Sequence, residues 1–409
     1  MKAWPFEIIE AGRSWGFVDD DDVIILGVEQ ALPSDIPAVS HQVTALLNLL
    51  CSLPERLFGG SLIRMAQEVG CDSQLLSYLN LVPSTLSADV FARADLFIDG
   101  SGWKLLELNI GGSIGGMHMA SLPRLAGHPL KYDALAGWAH HSICHLDDRE
   151  GKMLFIVPDN EIDALRKPLS VLLAELSQWS NKGVSIASPS ELDASGSELF
   201  WKGESVKYLY FRDEQQAFEL TETCVQLRAL VASGAVSIPM GPEYGVISSK
   251  GALAILWDSC KNKVLNQEED ALVRELVPET FWLTQSTLAD VLDEPAQWVL
   301  KPAHGFGGYG VICGCEVSEE YWRTSLHGAL SIGRNQYVLQ RYVSSMTSDF
   351  FVATPAGEQT IQHGRMVWGP YIFGSDYLGT LIRAQSVEHS AVINYAKGAA
   401  CGFIGMDHA

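Results

Sequence analysis

Three features of the chain predict an α+β fold carrying a smaller α/β unit. Helical apolar spacing fills residues 37–85, strands alternate with helices over 151–245, and strand-like runs dominate the last third. In chain order, QVTALLNLLCSLPERLF and GSLIRMAQEV carry the helical spacing. DVFARADLFID and WKLLELNI, parted by the turn Gly100-Ser-Gly102, give a two-strand signal, and the glycine-rich GGSIGGMHM follows. The character changes near 148–152. Beyond it MLFIVPDN reads as a buried strand, EIDALRKPLSVLLAELSQW as an amphipathic helix and GVSIAS as a second short strand. ELFWKGESVKYLYFRD holds two strand runs about Lys202-Gly203-Glu204, and a helix is expected over about 214–232. Strands alternating with helices imply parallel pairing in a unit ending near 245. The last third opens with ISSKGALAILWDS and QEEDALVRELVPET. It continues through QYVLQRYV, DFFVAT, GRMVWGPYIF, TLIRAQS and SAVINYA as a largely antiparallel unit. The expected division is 1–150, 151–245 and 246–409.

The 409 residues are 47% hydrophobic and 19% charged, enough for more than one core. No apolar run approaches the ~18–20 residues of a membrane helix. The start, MKAWPFEIIEAGRSW, lacks a basic flank followed by an apolar stretch. A cytoplasmic protein is expected. Forty-nine acidic residues face 28 basic ones, a formal charge of −21. That field repels nucleic acid and anionic membranes. The expected partners are small molecules, held by locally placed cations and N–H groups, and a homo-oligomer is compatible with the sequence. The acidic run at 19–22 reads as a solvated cap. The eight cysteines contain no C-x-x-C pair, and Cys313 and Cys315 would share one face of a strand. Free thiols in a reducing compartment are expected.

The stretch VLKPAHGFGGYGV, 299–311, sets Gly305, Gly307 and Gly310 in a G-x-G-x-x-G array. A Walker A loop ends in Gly-Lys-Ser/Thr and opens a helix, whereas Gly310 is followed by Val-Ile-Cys. A dinucleotide fingerprint also leads into a helix, and VICGCEV alternates like a strand. A kinase flap precedes its lysine, whereas Lys301 stands before this loop, and no H-R-D or D-F-G is present. A glycine hairpin between two strands remains, with N–H groups free to lie over a polyphosphate. A plain turn explains the glycines singly, but Lys301-Pro302 ahead of four glycines in six positions favours the flap.

A lysine ahead of a glycine flap, within an α+β unit, resembles the ATP-grasp superfamily. The resemblance implies that ATP and Mg²⁺ are bound. It places Lys301, Gly305, Phe306, Gly307 and Gly308 at the phosphates. Lys250, in SSKGALAIL, matches a second phosphate-contacting lysine, although an ordinary surface lysine explains it equally. VLQRYV, 338–343, is similar to the strand whose backbone reads adenine, with Gln340, Tyr342 and Val343 nearby. A core strand accounts for that segment nearly as well.

In that superfamily the metal carboxylates follow the flap in an E-x-N pattern. Only fifteen residues follow Asn394, and they hold no E-x-N. The pattern stands near the front instead: Arg93-Ala-Asp95, then Glu107-Leu-Asn109, then Gly111-Gly112-Ser113. Alternation puts Arg93 and Asp95 on one face of a strand and Glu107 and Asn109 on one face of the next. A hairpin would bring the two faces together, where Asp95, Glu107 and Asn109 suit Mg²⁺. A polar edge hairpin explains one or two of these residues. The chain thus resembles a circularly permuted ATP-grasp protein, glutathionylspermidine synthetase-like or peptide-ligase-like, over about 85–125 and 205–400.

The activity implied is an ATP-dependent carboxylate–amine ligase that makes an amide or peptide bond through an acyl phosphate. The carboxylate and amine substrates would be amino acids or short peptides. Arg93 and Arg383 are the candidates for stabilising the acyl phosphate, with a surface ion pair an equal reading of Arg383. Gly112 and Ser113 would let a substrate backbone approach, and Asn394 would lie near the metal or phosphate. A phosphotransferase and a non-catalytic ATP-binding module are the competing readings.

Overall fold

The largest sheet draws its strands from both ends of the chain. In the computed structural model, which describes residues 4–403 apart from 29–34, 84, 181–182, 212–213 and 306, it contains seven strands. Their order is Thr347–Ala353, Ile24–Val28, Ala400–Phe403, Asp376–Ser386, Gln359–Phe373, Phe91–Asp99 and Gly102–Ile110. Ile24–Val28 runs parallel to Ala400–Phe403, and the other neighbours are antiparallel. Thr347–Ala353 also pairs with the first half of Gln359–Phe373, which closes five strands on themselves. The 91–110 hairpin hangs on the second half of that long strand. Residues expected in the first and last segments therefore share one sheet.

Alternation along these strands feeds two apolar layers. Ile25, Ala94, Ile372 and Ile382 face one core cluster, while Ile24, Phe91, Tyr371 and Leu381 face another. The helix Ile36–Phe58 packs on the first layer. With 23 residues it is long and apolar enough, by length and composition, to cross a membrane, contrary to the sequence expectation. Val43, Leu46, Leu47, Leu50 and Leu53 are nevertheless fully buried, which makes it a core helix of this protein.

The middle segment forms its own five-stranded sheet, ordered Val184–Ala187, Lys152–Ile156, Glu204–Phe211, Glu198–Trp201, Leu192–Ser195. The first three strands are parallel as expected, and the last two are antiparallel. Tight turns cause the difference. Gly196 (φ +61°) and the pair Lys202–Gly203 (φ +52° and +81°) reverse the chain in too few residues for a parallel crossover. The helix expected over 214–232 is two, Glu214–Thr223 and Val225–Ala232, with Cys224 capping the second.

A four-stranded antiparallel sheet, Ile312–Cys313, Trp298–Pro302, Tyr337–Arg341, Thr280–Trp282, carries the glycine stretch between its first two members. The strand expected from VICGCEV stops at Cys313. At Gly314 the chain turns so close to Pro295 that a Cβ would lie 2.0 Å from its carbonyl oxygen. Cys313 is consequently buried and Cys315 exposed, not companions on one strand face. SAVINYA is not a strand either. It runs irregularly into a 3-10 turn at Tyr395–Lys397, because the Glu316 carboxylate takes the Ala391 N–H that a ladder would need. In the acidic run, residues 19–21 are exposed, but Asp22 is buried and accepts the Tyr395 hydroxyl at 2.5 Å.

Candidate active site

A cleft opens between the seven-stranded and four-stranded sheets. The 91–110 hairpin supplies its acidic groups. Its register sets Asp95 directly opposite Glu107 and Arg93 opposite Asn109. A bulge between Asp95 and Leu96 leaves Leu106 out of register, and its carbonyl accepts from Lys301 Nζ at 3.3 Å. Lys301 enters on the strand Trp298–Pro302, and Lys250 opens the helix Lys250–Lys261.

Seven side chains interlock there. Lys250 Nζ lies 3.0 Å from Glu107 Oε2 and donates to Gly305 O at 3.2 Å. Lys301, 8% exposed, also donates to Gln340 Oε1. Asp95 Oδ1 holds Arg93 Nε at 3.1 Å and Arg383 Nη2 at 2.6 Å. Arg383 Nε is buried and makes no hydrogen bond among the described residues. Burial alone would raise the Glu107 carboxyl, but the Lys250 and Lys301 ammoniums hold it well below the usual carboxylate range. Burial pulls Lys301 down to about 8 despite the attraction of Glu107, and Lys250 adds to the fall. Two ammoniums that share the Glu107 carboxylate leave positive charge at this end of the cleft, which would attract an anion.

Much of the rest of the cleft is apolar. One wall comes from the cluster of Phe97, Val343, Val367 and Ile393, the other from Val299, Cys313 and Ala391. Such opposed walls suit a flat ring. The Val343 N–H at their edge has no hydrogen-bond partner among the described residues. Over the polar end lies the glycine stretch. Gly305, Gly307, Gly308 and Gly310 all have φ between +68° and +137°, which L side chains seldom adopt.

The structure brings Asp95, Glu107, Lys250, Lys301, Gly305, Gly308, Gln340, Tyr342, Val343, Arg383 and Asn394 into this cleft. Arg93 stands behind Asp95, donating Nη1 to Gly115 O at 2.9 Å. Asn109 and Gly307 are not among the lining residues, and Phe306 lies outside the described residues. Gly112 and Ser113 line a separate cavity of about 280 Å³ beside Tyr210 and Met240. The Gly112 N–H is tied there to Met240 O at 2.8 Å, so these two do not reach the cleft. The apolar walls escaped the sequence reading. Alternating apolar residues look the same whether they line a slot or fill a core.

The hairpin offers hard oxygen donors. Among the described residues, no group of three or more Asp, Glu, His or Cys side chains could hold a metal alone. Asp95 and Glu107 line the cleft opposite each other and could serve a cation that draws its remaining ligands from phosphate and water.

No protein-family model and no curated protein matches the chain. Among solved structures it is similar to a glutathione synthetase-like effector from Globodera pallida in its apo form. Identity is 13% and the TM-score 0.63, over 97% of this chain and 94% of that one. A putative gamma-glutamylcysteine synthetase from Methylobacillus flagellatus aligns at 11% identity and TM-score 0.48, over 92% and 89%. D-alanyl-alanine synthetase A from Vibrio cholerae aligns at 11% and 0.30, over 59% and 86%. The first likeness shows a shared fold across nearly the whole of both chains.

Proposed function

We propose that the protein is an ATP-dependent carboxylate–amine ligase of the ATP-grasp kind, with a circularly permuted motif order. It would form an amide or peptide bond through an acyl phosphate. One observation carries this: Lys250, Lys301 and the glycine stretch meet the Asp95–Glu107 hairpin in a single cleft, although Lys301 and Leu106 stand 195 positions apart. The fold shared with a glutathione synthetase-like protein supports a ligase in kind.

The barrier to phosphorylating a carboxylate is the approach of two anions. Lys250, Lys301 and the N–H groups of the glycine stretch would spread the charge of the triphosphate. The apolar walls would take adenine, with the Val343 N–H as donor and Gln340 beside Lys301. Asp95 and Glu107, with Asn109, would hold Mg²⁺, which supplies further charge neutralisation when bound. Arg383 would bind an oxygen of the acyl phosphate and of the tetrahedral adduct that the amine forms, through its unsatisfied Nε. Arg93 would act through Asp95 and not on substrate. Asn394 remains a substrate contact in this proposal; Gly112 and Ser113 do not. The carboxylate donor would be an amino acid or short peptide, in keeping with the glutathione synthetase-like protein whose fold the chain shares.

Hydroxylamine trapping tests the assignment. With Mg²⁺, ATP and a panel of amino acids, a ligase yields ADP and a hydroxamate. A stable phosphorylated product without hydroxamate would make the protein a phosphotransferase, and nucleotide binding without ADP release would make it a binding module.

The lysine charge also predicts a pH dependence. Lys301, at about 8, is cationic below that pH and neutral above it. In the free protein kcat/KM for ATP should therefore fall as pH rises through about 8, and Lys301→Met should lack that limb. Stability should move the other way. Between about 8 and the ordinary lysine value the unfolded chain binds more protons, so the protein gains stability as pH rises through this window. A flat kcat/KM profile from pH 7 to 9.5 would remove Lys301 from phosphate binding.

A further inference from the structure

The segment 390–398 forms a wall of the cleft that ATP chemistry alone does not require. Ala391, Val392, Ile393 and Asn394 line it. The segment is pinned independently of the glycine stretch. Ser390 Oγ donates to Glu316 Oε2 at 2.9 Å, and the Ala391 N–H donates to Glu316 Oε1. The Tyr395 hydroxyl donates to buried Asp22. The Asn394 carbonyl accepts from the N–H groups of Lys397 (2.9 Å) and Ala399 (3.1 Å), closing the turn.

Gly308 rests on this pinned segment. A Cβ at Gly308 would lie 2.7 Å from Val392 Cγ1, so only glycine permits the approach. The Gly308 carbonyl accepts from Lys397 Nζ at 2.9 Å. A trans peptide is planar, with its C=O and N–H opposed. Fixing the Gly308 carbonyl therefore fixes the direction of the Tyr309 N–H. That N–H has no hydrogen-bond partner among the described residues, and both residues line the cleft.

We propose that Lys397 is a positioning residue. Acting through the Gly308 carbonyl, it holds the backbone of 307–311 against the pinned segment and aims the Tyr309 N–H as a donor for a phosphate oxygen. The phosphate part rests on the ligase reading; the Lys397–Gly308 contact does not. A held backbone would slow nucleotide release and keep water from an acyl phosphate.

Hydrogen exchange with mass spectrometry on the full chain tests it without any ligand. Lys397→Ala should raise exchange of a peptide covering 307–311 by roughly three- to tenfold, read at Val311, whose N–H donates at 3.5 Å to the Gly308 carbonyl that Lys397 fixes. Exchange in the helix Ile36–Phe58 should stay unchanged, and Lys397→Arg should restore most of the protection. With Mg²⁺ and ATP, Lys397→Ala should raise KM for ATP more than it lowers kcat. Unchanged exchange at 307–311 in Lys397→Ala would overturn the proposal. If exchange rises but wild-type protein binds no ATP, the ligase reading fails while the positioning contact stands.

Discussion

Glu107→Ala is expected to lower kcat/KM for ATP by about a thousandfold, some 4 kcal/mol of transition-state stabilisation. Two losses combine. The variant removes one of the two carboxylates that fit Mg²⁺, and it strips the Lys250 and Lys301 ammoniums of a shared counter-charge. Without Glu107, Lys301 loses the attraction that opposes its burial, so its value should drop below about 8. The fall of kcat/KM with rising pH should then begin at lower pH in any residual activity. Glu107→Gln keeps the shape of the side chain and its reach to Lys250 but carries no charge. It should lose nearly as much rate while staying as soluble and cooperative in unfolding as wild type. Steady-state ADP release with excess Mg²⁺ measures both variants. Activity within tenfold of wild type in Glu107→Ala would dismiss the hairpin as a metal site.

The parts of this site that the sequence disclosed are those whose geometry is encoded locally. The 91–110 hairpin follows from a Gly-Ser-Gly turn between alternating runs, and alternation puts Arg93 with Asp95, and Glu107 with Asn109, on one face of each strand; the bulge after Asp95, which no sequence pattern announces, brings the two pairs opposite each other. The glycine stretch was legible because each of its glycines adopts a conformation that other residues seldom do. Partner choice at long range was not legible. Nothing in IILGV says that Ile24–Val28 inserts between Thr347–Ala353 and Ala400–Phe403, since any apolar strand could fill that place. SAVINYA and ACGF are similarly apolar, yet ACGF finds strand partners on both sides while the Glu316 carboxylate takes the Ala391 N–H. Lys397 carried no signal, because its function depends on the carbonyl of one distant glycine.

Asp95→Ala is expected to destabilise the protein by about 3–5 kcal/mol, the range for breaking a buried ion pair by removing one partner. Asp95 is 4% exposed, and a single oxygen of it binds both Arg93 and Arg383. Arg93 keeps the Gly115 carbonyl when the carboxylate goes. Arg383 has no such reserve. Its Nε already lacks a hydrogen bond, so its charge would be left buried without compensation. The double variant Asp95→Ala/Arg383→Met should therefore recover part of the loss, because the uncompensated guanidinium is removed with the carboxylate. Urea denaturation of the single and double variants gives the comparison, and a loss under 1 kcal/mol in Asp95→Ala would mean the pair is not buried as described. The same series separates the two duties of Asp95. Asp95→Asn retains an oxygen for the arginines and so should fold with a smaller penalty, yet it offers a weaker ligand to a cation. If it folds well and still turns over at the wild-type rate, Asp95 serves only to hold Arg383 in place. The metal would then have to rest on Glu107, Asn109 and phosphate.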